Sequence, residues 1–317
     1  MPAHTLERYR VWLEDSVSPI VRAWCPDARR RRYEEASAQY LRRTIDEESS
    51  RRYARACPVV GVEDHRLYQL RELTMTTGAR LLVGIHFRGQ ATSYPFVGVF
   101  AQSRWLTSEE MAAAHAALMR EFRVFSPRAS WWWASTEEQV PKLATACGDL
   151  LLVMGSLAEI LSQTPAALPP EWSLRRVSSV SEVGTAFVDL YQSFHAARPE
   201  LAEAVPTSPL DALEECAMAE GLYACFVGSE IVGVVAAKPV AQYAVDAWLM
   251  WDIVLARQYC GKGLAPLLQR AVLDRLDSDR APLVAGTIHA KNLPSLRTAL
   301  RVGRHIVGTW TFITQGE

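Results

Sequence analysis

The sequence lacks the cysteine and histidine patterns that mark zinc sites and disulfide frameworks. Its six cysteines are scattered without a CxxC pair, and its seven histidines form neither an HExxH nor an HxH motif. Zinc sites and disulfide-stapled folds both depend on such spacings. We therefore predict a protein that uses no metal, and the scattered cysteines are typical of a reducing cytoplasm.

The sequence also lacks a strong net charge and a long apolar run. Lys and Arg total 34 and Asp and Glu total 35, so the formal net charge is −1. No field of one sign then attracts nucleic acid or an anionic membrane. No uncharged run approaches the roughly 20 residues that span a bilayer, and residues 1–17 show no signal-peptide core. We expect a cytoplasmic protein whose partners include neither nucleic acid nor membrane.

Two local patterns allow an alternative in which the protein binds nucleic acid. The run Arg29–Arg32 is basic, but Glu34 and Glu35 lie within one helical turn of it, which favours a solvated helix face. Trp131–Trp133 could stack on bases, but their side chains alternate across a strand, which favours a core role for one or two of them. Salt-sensitive binding to RNA or DNA would test the alternative.

The order of patterns along the chain predicts two mixed α/β domains, in the α+β fold class. With 317 residues the chain is long enough for two domains of roughly 150 residues each. Helices rich in Arg, Glu and Ala come first, and in each half meander strands then lead into strand, helix, strand, helix and strand. The Pro-rich segment 163–171 is typical of a linker. We predict an N-terminal domain of residues 1–162 and a C-terminal domain of residues 172–317, related by a weak duplication.

The stretch from Trp251 to Leu276, WDIVLARQYCGKGLAPLLQRAVLDRL, carries the clearest functional pattern. An apolar strand meets Gly-Lys-Gly and continues as an amphipathic helix. The turn is not a Walker A loop, because Gly and Leu follow Lys262 where Ser or Thr belongs. It is not a dinucleotide fingerprint, because Pro266 stands where the third glycine belongs. A helix start behind glycines still offers unpaired amides to an anion.

This turn and a second block resemble the GNAT superfamily of acyl-CoA-dependent N-acyltransferases. The family's pyrophosphate loop reads Q/R-x-x-G-x-G/A after its fourth strand, and residues 260–265, CGKGLA, stand in the matching register. The second block, IHAKNLPSLRTALRVGRHIVG, resembles the family's strand, Asn-x-x-Ala/Ser and helix, with Asn292, Ser295 and Gly303 at the matching positions. The resemblance covers residues 172–317. It implies tandem GNAT-like domains, each a twisted mixed sheet flanked by helices, the first being a degenerate copy.

The resemblance implies a co-substrate, which is acetyl-CoA or another acyl-CoA. In the family, the backbone of the strand pairs with the pantetheine arm, the loop amides take the pyrophosphate, and side chains of the second block lie along the cofactor. The residues predicted to bind the cofactor are Ile253, Val254, Leu255, Cys260, Gly261, Lys262, Gly263, Leu264, Ala265, Asn292 and Ser295.

The family's acid and base are missing from their usual positions. Trp251 stands where many relatives carry a Glu base, and Ala299 stands where a Tyr often acts as the acid. N-acylation needs a neutral amine and a protonated leaving thiolate, so Asp252 and His289 are the candidate catalytic residues. For Asp252 we favour a structural hydrogen-bond acceptor over the base. For His289 we favour a satisfied or solvent-facing side chain over a relay.

The acceptor is predicted to be a small amine with an apolar body. Strand alternation places Leu249 and Trp251 on one face, opposite Asp252, and these two suggest an apolar wall rather than the acidic cradle that a polyamine needs. His195 and Glu203 lie in or beside the segment that lines the acceptor pocket in the family, although ordinary loop residues are the simpler interpretation of both.

The resemblance leaves two functions open. One is acetyl transfer to the amine by direct attack on the thioester, and the alternative is a catalytically silent protein that binds or senses acyl-CoA. The loop AQSRWLTSEEM of the first half has no glycine, so side chains are expected to crowd the place where a pyrophosphate would lie. A homodimer is left open.

Overall fold

A computed structural model of the chain describes residues 3–88, 92–163 and 167–315. Of the predicted linker, residues 164–166 lie outside the described residues. Within these ranges, no helix has the length and apolar character needed to cross a membrane. Helices and strands are both abundant, so the fold class is α+β, as the sequence predicts.

The chain divides into two compact units. The first comprises residues 1–150 and 307–317, and the second comprises residues 151–306. These limits differ from the predicted domain boundaries in two ways. The first division falls inside the strand that precedes the Pro-rich linker, and most of the last strand belongs to the first unit.

Helices are concentrated near the N-terminus and between the strands of the second half. In chain order they are α1 (Ala3–Asp15), α2 (Pro19–Trp24), α3 (Ala28–Ala36), α4 (Arg42–Ile45), α5 (Glu47–Ala56), α6 (Ser108–Glu121), α7 (Leu157–Ser162), α8 (Gly184–Ala197), α9 (Leu210–Met218), α10 (Leu264–Leu273) and α11 (Leu293–Arg301). A π-helical turn, Ser37–Leu41, joins α3 to α4.

Strands make up most of the remaining regular structure. They are β1 (Arg71–Thr74), β2 (Arg80–Phe87), β3 (Pro95–Gln102), β4 (Ala129–Ala134), β5 (Ala146–Ser156), β6 (Trp172–Arg176), β7 (Leu222–Val227), β8 (Glu230–Gln242), β9 (Val245–Leu255), β10 (Leu283–His289) and β11 (His305–Thr314).

The first unit is a mixed sheet with the strand order β1-β2-β3-β4-β11. The first three strands pair antiparallel. The strands β3 and β4, which α6 connects along the chain, pair parallel, and β11 pairs antiparallel with β4. A capping box formed by Thr107 and Glu110 begins α6, as their spacing predicts. The second helix predicted for this half is instead a single 3-10 turn, Glu137–Gln139.

Aromatic side chains fill much of the first unit's core. Trp132 is 1% exposed, whereas Trp131 and Trp133 are half-buried. The Trp131 ring stacks on Trp310 with centroids 5.6 Å apart, and Trp133 Nε1 donates to the Ser16 carbonyl at 2.9 Å. The tryptophan run is therefore a packing feature of β4.

The basic run Arg29–Arg32 lies on a charged helix surface. Each of its arginines has a carboxylate within ion-pair distance, so the run presents no isolated block of positive charge. In order along the run, the partners are Asp15, Glu34, Asp27 and Glu35.

The second unit is a mixed sheet with the strand order β5-β10-β9-β8-β7-β6. Each of the strands β6 to β9 pairs antiparallel with the next one along the chain. The strand β10 follows α10 in the chain and pairs parallel with β9. α8 and α9 pack against β8, and α10 packs against α11. Both units share one order of elements. In each, antiparallel strands come first, and a helix then connects two strands that pair parallel. The predicted duplication implies this order.

Two buried arginines hold β5 and α7 in the second unit. The Arg304 guanidinium donates to the Val153 carbonyl of β5 at 3.0 Å, and the Arg270 guanidinium donates to the Ile160 carbonyl of α7. Burial lowers the pKa of Arg304 to about 9. These bonds explain why the unit begins before the Pro-rich segment rather than after it.

Candidate active site

The pairing of β9 with β10 stops before either strand ends. Their parallel pairing covers Ala247–Leu249 opposite Leu283–Ala285, although β9 continues to Leu255 and β10 to His289. The other edge of β9 stays paired with β8 along its whole length. From Met250 onward, the edge of β9 toward β10 is therefore outside the ladder, and the carboxyl ends of parallel strands are where such sheets bind ligands.

A β-bulge at Trp251 interrupts the regular alternation of β9. Met250 and Asp252 pair with consecutive residues of β8, so Trp251 is the extra residue. The alternation shifts by one at the bulge, which places Leu249 on the same face as Asp252. The prediction that these two side chains lie on opposite faces is wrong, because it assumed a regular strand.

The Gly-Lys-Gly turn leaves open space beside the start of α10. Gly261 and Gly263 both have a φ of +76°, which glycine adopts at little cost. Apart from the glycine itself and its two chain neighbours, no described atom lies within 4 Å of the position where either would carry a Cβ. Gly263 is the N-cap of α10, and no side chain among the described residues caps the helix. Its first amides can therefore bind an anion.

In the first unit, the start of α6 is the junction that corresponds to the start of α10, and a carboxylate occupies it. The Glu110 carboxylate accepts from the Thr107 amide at 2.9 Å, and the Arg104 guanidinium donates to both of its oxygens at 2.6 and 2.9 Å. This carboxylate takes the place of an anion at the helix N-terminus. The cleft beside it, lined by Gln102 and Trp105, holds about 70 Å³.

The cleft of the second unit is much larger and is rich in positive charge. It holds about 650 Å³, which is within the range of small-molecule sites. Four arginines line it, and none of the described lining residues is Asp, Glu or His. In a chain of net charge −1, this concentration favours a ligand with several negative charges. The arginines are Arg198, Arg257, Arg297 and Arg301.

The second sequence block also lines the cleft, and helix capping explains the spacing of its Asn and Ser. Asn292 Oδ1 accepts from the Ser295 amide at 3.4 Å at the start of α11. Every residue predicted to bind the cofactor lines the cleft apart from Lys262. The Lys262 Nζ lies 5.9 Å from the centroid of the Tyr259 ring.

Asp252 is buried and holds two hydroxyl groups. Its Oδ1 accepts from Tyr191 Oη of α8, and its Oδ2 accepts from Ser208 Oγ at 2.6 Å. Burial raises the pKa of the Asp252 carboxyl, although both hydroxyls favour its charged form. Burial and then the Asp252 charge raise the pKa of Tyr191. Tyr191 lines the cleft, so the buried carboxyl is connected to it through one hydroxyl.

The predicted histidines and Glu203 lie outside the set of residues that line the cleft. His195 Nε2 is 2.9 Å from the Val205 carbonyl oxygen, which joins α8 to the following loop. Glu203 is exposed in that loop. His289 Nδ1 accepts from the Lys291 amide at 3.2 Å. The structure therefore does not bring these three side chains together, and a role for them stays a prediction.

The predicted acceptor wall differs in exposure between its two members. Trp251 is 38% exposed, and Leu249 is 7% exposed. The Lys238 Nζ lies 4.2 Å from the centroid of the Trp251 ring, close enough for a cation–π interaction. In the described part of the chain, no cluster of three or more His, Cys, Asp and Glu side chains is arranged to hold a metal ion.

Comparison with known families identifies the second unit. Residues 187–303 match the sequence model of the acetyltransferase (GNAT) family. The second unit carries a GNAT domain. The glycine turn, the β9 bulge and the α11 cap of this GNAT domain all fall inside the matched residues. No curated protein sequence matches the chain.

Solved structures with a similar fold extend over most of the chain at low sequence identity. A GNAT acetyltransferase from Colwellia psychrerythraea is 10% identical, with a TM-score of 0.47 and coverage of 86% of this chain and 97% of that chain. A GCN5-related N-acetyltransferase from Sphaerobacter thermophilus is 14% identical, with a TM-score of 0.47 and coverage of 75% and 78%. A tandem GNAT protein from the clavulanic acid biosynthesis pathway is 14% identical, with a TM-score of 0.43 and coverage of 85% and 95%.

Sequence reasoning missed several residues of the site. Arg297 and Arg301 had a readable signal, since residues four apart share a helix face. Tyr191 and Ser208 had none, because they reach Asp252 only through tertiary packing.

Proposed function

We propose that the GNAT domain transfers an acetyl group from acetyl-CoA to the amine of a small molecule. The cleft is the observation that carries the proposal. It combines an uncapped helix start behind two glycines, four arginines without a lining carboxylate, and an unpaired strand edge. CoA offers a diphosphate, a 3′-phosphate and an extended arm with two amides, and each of these features has a counterpart of matching chemistry in the cleft.

The chemistry proposed is direct attack. The neutral amine nitrogen attacks the thioester carbonyl carbon, an N–C bond forms, and the C–S bond breaks as CoA thiolate leaves. One proton leaves the nitrogen and one reaches the sulfur, so the products are an amide and a thiol. Holding both reactants in the cleft converts a bimolecular step into one within a complex.

The acceptor that we propose is a small amine with an apolar body. Trp251 exposes an aromatic ring, and none of the described residues that line the cleft is Asp or Glu. These surfaces offer an apolar contact rather than the acidic groups that a polycation needs. Thiol release from acetyl-CoA, measured with a panel of aryl-alkyl amines beside spermidine, tests this choice. A marked preference for spermidine contradicts it.

The second candidate function is an acyl-CoA-binding or sensing protein without turnover. Ala299 and Trp251 stand where relatives carry the acid and the base, and this favours a silent site. Saturable acetyl-CoA binding, without thiol release for any amine in the panel, supports this candidate over the transferase.

Substitution of the turn glycine tests the cofactor assignment itself. Gly263→Val places a branched side chain in the open space beside the α10 amides, and we expect CoA affinity to fall by about 100-fold or more, roughly 2.7 kcal/mol. Isothermal titration with CoA measures this change.

The matched control is Gly228→Val in the turn between β7 and β8. Gly228 also has a positive φ, +61°, and no described atom beyond itself and its two chain neighbours within 4 Å of its Cβ position, so the two variants carry similar backbone strain. It does not line the cleft. Gly228→Val should bind CoA like the parent protein, and undiminished affinity in Gly263→Val would falsify the loop assignment.

A further inference from the structure

Asp252 connects two hydroxyl groups that have different surroundings. Tyr191 lines the cleft, whereas Ser208 belongs to the segment between α8 and α9 and lies outside the cleft-lining set. Both donate to the same carboxylate, one to each oxygen. The carboxylate is 7% exposed, so exchange of its proton with bulk solvent is restricted and exchange through the two hydroxyls is favoured.

We propose that Ser208, Asp252 and Tyr191 carry the proton of the attacking amine to the departing sulfur. This inference rests on the proposed acetyltransferase function. In this relay Ser208 takes the proton from the amine side and Tyr191 delivers one to the thioester sulfur, with Asp252 bonded to both. Tyr191 then replaces the acid that is absent at Ala299, but it comes from α8 rather than from α11.

The transfer balances without another reactant. The nitrogen of the tetrahedral intermediate gives a proton to Ser208 Oγ while the Ser208 hydroxyl proton moves to Asp252 Oδ2. The carboxyl group then rotates about its Cβ–Cγ bond, which brings the new proton beside Tyr191 Oη. Tyr191 turns its O–H toward the sulfur, passes its phenolic proton to the CoA thiolate, and takes the proton that Asp252 carries. Each of the three residues ends in its starting protonation state, and the net movement is one proton from nitrogen to sulfur.

The surroundings of Asp252 suit a carboxyl that is protonated during each turnover. Burial raises its pKa toward the range where a carboxyl both accepts and donates protons. Three further groups lie near this unit. Cys216 of α9 has its pKa raised to about 12 by burial, Lys238 pairs with Glu215 at 2.5 Å, and the His195 ring lies 5.6 Å from the Tyr191 ring.

Removal of single hydroxyls tests the relay. Tyr191→Phe and Ser208→Ala should each lower kcat for amine acetylation by about 100-fold, while affinity for acetyl-CoA changes by less than about twofold. Ser208→Thr keeps a hydroxyl and should retain most of the activity, so it separates a relay from a packing role. Binding is measured by titration and turnover by thiol release.

The pH profile supplies a readout that a purely structural role would not move. The parent kcat should fall as pH drops through the pKa of Asp252, and Asp252→Asn should remove this acid limb along with most of the activity. Titration with acetyl-CoA shows that each variant remains folded around its cofactor.

The outcomes distinguish this inference from the function on which it rests. Parent-like kcat and pH profile in Tyr191→Phe or Ser208→Ala overturn the relay and leave the transferase intact. Equal loss in Ser208→Thr and Ser208→Ala also overturns it, in favour of packing. A parent protein that neither binds acetyl-CoA nor releases thiol overturns the transferase itself, and the relay with it.

Discussion

At the scale of single residues, two arginines of the cleft differ in their ion pairing from those of the N-terminal run. The arginines of the N-terminal run each meet a carboxylate. By contrast, Arg297 and Arg301 of α11 line the cleft, and the ion pairs of the described second unit involve other residues. A guanidinium that is hydrated and unpaired gains most when a phosphate arrives, because it can bind two oxygens in a planar fork.

Joint replacement of Arg297 and Arg301 by Ala should weaken CoA binding by at least about tenfold, which corresponds to about 1.4 kcal/mol. The salt dependence of binding should also become shallower, since fewer charges meet the phosphates. Titration with CoA at two ionic strengths measures both effects. Arg120→Ala, which changes an exposed arginine of α6 in the first unit, is the control. Parent-like affinity in the double variant contradicts the role assigned to these arginines.

Some residues of the site could be predicted from the sequence and others could not. The turn that we propose to bind an anion follows from local sequence, because Gly261, Gly263 and the start of a helix are all readable there. The hydroxyls that hold Asp252 do not follow from it, since Tyr191 and Ser208 come from distant segments. Asp252 looked like a structural acceptor in the sequence, and the structure shows that it accepts two hydrogen bonds.

At the scale of elements, the β8–β9 hairpin sets the register of a strand that lines the cleft. Its turn consists of Tyr243 and Ala244, with φ values of +57° and +70°. Two-residue turns with positive φ at both positions normally carry Asn and Gly, because side chains crowd the backbone there. The turn therefore holds strain in the hairpin that carries the bulge at Trp251.

Relief of this strain should be measurable. Ala244→Gly is expected to raise the free energy of unfolding by about 1 kcal/mol, since a left-handed Ala costs about that much. Ala241→Gly, an exposed position of β8 in the same hairpin, should lower it by about 0.5–1 kcal/mol. Urea unfolding of both variants tests the difference in sign, and equal destabilisation by both changes contradicts it.

Element boundaries were predictable where local chemistry decides them. The spacing of Thr107 and Glu110 specified the start of α6. The second helix expected in the first half ended after one turn, because Pro141 forces Val140 into an extended conformation. The bulge in β9 was not predictable, since pairing with β8 creates it and the strand's own pattern looks regular.

At the scale of the whole molecule, the first unit includes residues from both ends of the described chain. β11 pairs with β4 over Thr309–Thr314, and Ile313 is 1% exposed in the first unit's core. Sequence reading placed residues 307–317 in the C-terminal domain, because adjacency along the chain is the default expectation. Strand pairing, which no single-sequence pattern reports, assigns them to the other unit.

Ile313→Ala should destabilise the first unit by about 2–5 kcal/mol, the usual cost of a buried Ile truncated to Ala. Ile306→Ala lies in the same strand at a side chain that is 41% exposed, and it should cost far less. Hydrogen exchange resolves the location, with faster exchange expected in β2, β3 and β4 for Ile313→Ala. Exchange that accelerates only in the second unit contradicts the assignment of this strand.

The placement of β11 also has a consequence during translation. Ribosomes release a protein from its N-terminus onward, so the first 150 residues emerge long before the strand that completes their sheet. Until then β4 has no neighbour on that side, and an open sheet edge recruits other strands. Newly made chains must therefore shield this edge for the time needed to synthesise more than 150 further residues, and molecular chaperones that hold nascent polypeptides are suited to that interval.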